Sequence, residues 1–149
     1  MILFRKTTIS FWGKVIIPFF QFGFFSEGAH ATKIPNSYLV PMIVVVNRWL
    51  LRKGFTGMAL WPFVILRSAE FKKDITFLNH EKIHLRQQIE LLIIPFFLWY
   101  ALEFLFRWIQ YKNRYQAYRN ISFEREAYQN EKDPHYLKQR SFWNMLSYL

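Results

Sequence analysis

The stretch Phe77-Leu78-Asn79-His80-Glu81-Lys82-Ile83-His84-Leu85-Arg86-Gln87-Gln88-Ile89-Glu90 decides how this chain is read. It contains neither Gly nor Pro, and it predicts a helix from near Phe77 to Ile94. Inside it, His80 to His84 spells H-E-x-x-H. Helical residues advance about 100° each, so His80 and His84 stand about 40° apart and one turn along, and their imidazoles can converge on one metal ion. Glu81 falls on the adjoining flank, where it can take a proton from water activated by the metal without being a ligand. Zinc suits a site of nitrogen and carboxylate ligands that leaves one position open. The plain alternative is an exposed helix whose His and Glu are solvated.

A catalytic zinc needs a third protein ligand, and the residues downstream offer one. Glu124, forty positions after His84, lies in Phe123-Glu124-Arg125-Glu126-Ala127-Tyr128 on a helix expected from about Tyr115 to Glu131. Ala127 shares its face and leaves room beside a metal. Glu126 points about 200° away on the helical wheel and is expected at the surface in a solvent or salt-bridge role. Between the two motifs a further helix is expected from Phe96 to about Lys112, and Asp133-Pro134 closes the series. Upstream, Met58 to Leu66 reads as an extended strand after Gly54 and Gly57, with Pro62 marking it as an edge strand. Such a strand could hold a substrate alongside it or simply pack under the helices. The tail from Tyr136 to Leu149 is expected to form one short helix packed back on the rest. The fold class is therefore mainly α, with a small β element before the H-E-x-x-H helix (α+β).

Composition narrows the chemistry further. With no Cys in 149 residues, thiolate metal sites, disulfides and cysteine nucleophiles are excluded. The chain is 52% hydrophobic and 21% aromatic, too apolar for global disorder. Its net charge of +10 comes from basic residues dispersed among aromatics, and no nucleic-acid-binding motif is present, so nucleic acid is not an expected partner. Membrane lipid is. Twelve uninterrupted apolar residues run from Leu91 to Leu102, and the pattern continues to Ile109 past Glu103 and Arg107, an i,i+4 pair. Residues 91–109 are thus expected to be membrane-embedded or interfacial, the alternative being a core hairpin; Pro95 would kink or split a helix there. Residues 1–41 carry Arg5, Lys6 and Lys14 before an apolar stretch and an Ala29-His30-Ala31 site, which fits an export signal or an uncleaved membrane anchor. Translation from Met42 is a third possibility. Residues 42–149 are expected to form one domain.

H-E-x-x-H, an apolar helical excursion and then Glu-x-x-Ala in a helix resembles the gluzincin membrane metallopeptidases, a group that includes HtpX-type proteases, CAAX prenyl proteases and the peptidase domain of beta-lactam sensors. The resemblance covers about residues 55–130. It implies a zincin-like helical core, His80, His84 and Glu124 as zinc ligands, Glu81 as general base, and a peptide or protein substrate cleaved at the membrane. Gluzincins often carry Asp after the Ala, where this chain has Tyr128; the departure removes a carboxylate that would orient a ligand His. Tyr128, Arg119 and His135 are the candidates for stabilising an oxyanion.

Overall fold

A computed structural model describes residues 42–51 and 54–149. The N-terminal segment 1–41, with its export-signal and anchor readings, lies outside them. The described chain is mainly helical with one small sheet. Three strands, β1 (Ile43–Val46), β2 (Gly57–Leu60) and β3 (Phe63–Leu66), form the sheet in the order β1-β3-β2. β1 runs parallel to β3, Ile43 opposite Phe63, and β2 runs antiparallel to it, Gly57 opposite Leu66. The segment expected as one edge strand is instead a hairpin. Pro62, which has no N–H for a ladder, sits with Trp61 in the two-residue turn, so β2 is the edge and β3 the centre. As the central strand, β3 is a continuous apolar run with Val64, Ile65 and Leu66 all buried.

A 3-10 turn over residues 69–73 leads into α1 (Ile75–Leu91). The Asp74 carboxylate caps α1 by accepting from the Phe77 N–H at 2.9 Å. Helical periodicity gives α1 two working faces. Leu78 and Leu85 pack with Ala59, Val64 and Leu66 into a core under the sheet. Full burial of each of these aliphatic side chains contributes about 1.5–3 kcal/mol. The contact is close: a Cβ on Gly57 would lie 2.5 Å from the Phe77 ring. His80, His84 and Gln87 turn away from the sheet toward the later helices.

The long apolar run does not continue α1. Pro95 could not donate to the Leu91 carbonyl, and its ring would crowd that turn. The chain breaks at Leu92, φ 63°, and α2 (Ile93–Tyr111) starts afresh with Pro95 in its first turn, where a missing N–H costs nothing. The third expected helix is also divided, into α3 (Arg114–Arg119) and α4 (Ser122–Asn130). The cause is Glu103 of α2. Its buried carboxylate accepts from the Ser122 N–H at 2.8 Å and the Ser122 hydroxyl at 2.6 Å, capping a new helix start. Phe96, Ile121, Phe123 and Met145 form a second core where α2, α4 and the tail meet. The tail holds α5 (Tyr136–Gln139) and a separate 3-10 turn over residues 144–148, in place of one short helix.

Candidate metal centre

α1 and α4 bring His80, His84 and Glu124 together, with one ligand atom from each lying within 4.8 Å of the others. His80 Nε2 is 3.1 Å from His84 Nε2 and 3.5 Å from Glu124 Oε2, and His84 Nε2 is 3.3 Å from Glu124 Oε1. The two nitrogen–oxygen separations, to different oxygens of Glu124, are close to the edge of a tetrahedron with metal–ligand bonds of about 2.0–2.2 Å, roughly 3.3–3.6 Å, and the two nitrogens stand slightly closer.

Hydrogen bonding behind the imidazoles fixes their tautomers. His80 Nδ1 faces Glu131 Oε2 at 2.9 Å, and a carboxylate only accepts, so Nδ1 carries the proton. The Gln87 amide donates through Nε2 to Phe123 O and Glu126 Oε2, which turns its Oε1 to His84 Nδ1 at 2.8 Å. That nitrogen must also be the donor. With Nδ1 the donor on each ring, Nε2 is the atom of each imidazole that faces the other ring and the Glu124 carboxylate, open to a metal ion or, without one, to a proton. Tyr100 donates to Glu124 Oε1 at 2.8 Å, while Oε2 is buried and accepts no hydrogen bond. The two Nε2 nitrogens and an orphaned carboxylate oxygen demand positive charge between them, which a proton on His80 or a metal ion can supply, so the residues present fit a metal ion.

The electrostatics carry the same demand. Burial alone lowers an imidazole, yet the Glu124 and Glu131 carboxylates outweigh it and push His80 up to about 10. Burial works to raise Glu124, but the imidazoles of His84 and His80 hold its carboxyl well below the usual range. Glu81 is raised by burial, against the opposing pull of both histidines and a backbone hydrogen bond from Ala59. A carboxylate lifted in this way holds a proton more readily than an ordinary glutamate.

Tyr128, which follows Ala127 where the resemblance leads one to look for Asp, meets His80 edge-on at 4.6 Å and lies under the Arg119 guanidinium, 3.5 Å from the ring centroid. The missing carboxylate is replaced one turn later by Glu131. Asn79 donates to the carbonyls of Glu131 and Asp133 at 2.9 and 2.8 Å, so the turn that presents His80 also anchors the group orienting it. Of the three oxyanion candidates, Tyr128 stands against His80, Arg119 lies over the Tyr128 ring, and His135 is exposed at the start of α5.

The structure overturns the surface role expected for Glu126. It is fully buried, paired with Arg140 and accepting from Tyr136 at 2.6 Å as well as from Gln87. The tail folds back over that side of α4, which a helical wheel of α4 alone cannot show. Glu131, Gln87, Tyr100 and Glu126 are the contributors that motif reading missed. Glu131 stands at i+7 from Glu124 and Gln87 at i+3 from His84, spacings that put each on its ligand's helix face. Tyr100 had no local signal. At the sheet, the outer edge of β2 is packed on α1: Gln88 donates to Ala59 O at 3.0 Å and accepts from the Trp61 N–H at 2.8 Å.

No protein-family model matches the chain, and neither the curated proteins nor the solved structures contain a significant match. The gluzincin resemblance thus rests on the sequence motifs alone.

Proposed function

We propose that this protein is a membrane-associated zinc metallopeptidase. The observation that carries the reading is the convergence of His80, His84 and Glu124 with the buried, proton-ready Glu81 beside them on α1. When bound, zinc would supply a Lewis acid that activates water and polarises a peptide carbonyl. His80 and His84 hold the ion through Nε2, oriented by Glu131 and Gln87, and Glu124 completes the set under the grip of Tyr100. Glu81 accepts a proton on its carboxylate and returns it to the departing amine. Tyr128, against the His80 ring, and Arg119, over Tyr128, are the candidate donors for a developing oxyanion. The test is Glu81→Gln: zinc content stays near one per chain while peptide hydrolysis is lost. Hydrolysis retained in that variant overturns the assignment.

One observation favours a second reading, a non-catalytic metal-binding protein. All four side chains are nearly buried, Glu124 to 2% exposure, as suits an ion that pins α1 to α4. Zinc-loaded wild-type protein that cleaves no member of a diverse peptide library would select this reading.

A further inference from the structure

Along α2 the apolar residues Ile94, Leu98, Leu102, Phe106 and Ile109 follow one another at intervals of four, four, four and three, forming a single stripe. Each is between 58 and 67% exposed, and the stripe extends over most of the helix, roughly 22 Å at 1.5 Å per residue. The opposite face is fully engaged. Phe96 sits in the second core, Tyr100 holds Glu124, and Glu103 caps α4. Such a helix is apolar and long enough to cross a membrane by length and composition, yet it cannot do so with these partners attached. α3 and α4 lie alongside it and carry exposed Gln116, Arg119 and Arg125, which a crossing would draw into hydrocarbon.

We infer that α2 lies in the plane of one anionic leaflet, with the Ile94–Ile109 stripe inserted among the acyl chains and the metal centre on the water side of the helix. The surroundings of the stripe point to lipid as the occupant. Exposed Tyr111, Lys112 and Tyr115 stand at its C-terminal end, and exposed Phe142 and Trp143 are tied near its N-terminal end by the Trp143 N–H to Glu90. Aromatic rings at both limits of an apolar stripe, with an ammonium group at one of them, match the headgroup layer. A net charge of +10 complements anionic lipid. The inference rests on the membrane part of the function proposed above and not on its chemistry.

Because the chain has no Cys, single cysteines can be placed without background. In the full-length chain, Ile94→Cys, Leu102→Cys, Ile109→Cys and, on α3, Gln116→Cys are each labelled with an environment-sensitive fluorophore. Each is mixed with phosphatidylcholine–phosphatidylglycerol vesicles containing lipids brominated at set depths. An in-plane helix gives vesicle-dependent blue shifts and the same shallow quenching depth at positions 94, 102 and 109, no shift at 116, and weaker binding to phosphatidylcholine alone. Quenching deepest at 102 and shallow at both ends would show a crossing helix and overturn the proposal. Probes already blue-shifted without vesicles and indifferent to brominated lipid would show the stripe covered by residues 1–41 or by a second copy, and would overturn it equally. Vesicle binding is also measured on Glu81→Gln protein, so a failed peptidase assay and a failed membrane assay are separate results.

Discussion

Glu131 holds the imidazole of His80 from behind, Oε2 to Nδ1 at 2.9 Å, although the two residues are 51 positions apart, His80 on α1 and Glu131 just past the end of α4. This contact fixes the tautomer that leaves Nε2 free for a metal, the role that an Asp at position 128 would have filled. Glu131→Ala is expected to weaken zinc binding about 10- to 100-fold. Competition with a chelating dye measures it, with circular dichroism confirming that the helices persist. Unchanged affinity would show that His80 needs no such partner.

Metal and proton compete for the same atoms. In the metal-free protein His80 is raised from 6.5 to about 10, so the proton's contribution to folding is complete below about 6.5 and is lost as pH rises through about 10. Zinc affinity should therefore increase with pH between 6.5 and 8, by up to about tenfold per unit. Titration calorimetry in buffers of different ionisation enthalpy should register close to one proton released per ion bound at His80. No proton release at pH 7 would contradict the raised value.

Arg140 bridges two fully buried carboxylate side chains, bonding Glu126 and, at 2.5 Å, Glu90. Arg140→Met would leave Glu126 without its cationic partner and Glu90 with Arg86 alone, and loss of one partner from a buried ion pair costs about 3–5 kcal/mol. Urea unfolding of the metal-free protein reads this directly. Since Glu126 also receives Gln87, which orients His84, a modest fall in zinc affinity should accompany the lost stability.

Glu103 caps α4 through both Ser122 donors and approaches Arg107 at 3.5 Å. Glu103→Leu removes the acceptor and leaves buried donors unmatched, for an expected loss of about 1–3 kcal/mol. Ser122→Ala, which deletes only the hydroxyl bond, should cost less than Glu103→Leu in the same denaturant titration. Equal effects would mean that the backbone cap contributes nothing.

The metal ligands were legible in the sequence because their geometry is mostly local. Four-residue spacing on one helix forces His80 and His84 onto one face wherever the helix goes. Glu124 needed a tertiary arrangement, but the Glu-x-x-Ala signature marked it. The same local logic placed Glu81 on the flank of α1 and identified Pro95 as a point where a helix must fail. Periodicity could also have exposed the α2 stripe, since Ile94 to Ile109 is a pattern within one element.

Other features were decided only when the elements packed. Whether Glu126 met water or Arg140 depended on the tail returning over α4, a contact between residues 14 apart with no periodic signal. α3 and α4 separate because a carboxylate 19 positions earlier captures Ser122. The strand and turn assignments around Pro62 required β1 to arrive on the far side of β3. Sequence determined which side chains share a helix face, since that follows from backbone geometry. Tertiary structure decided what each face meets, because burial and hydrogen-bond satisfaction are settled by groups far away along the chain.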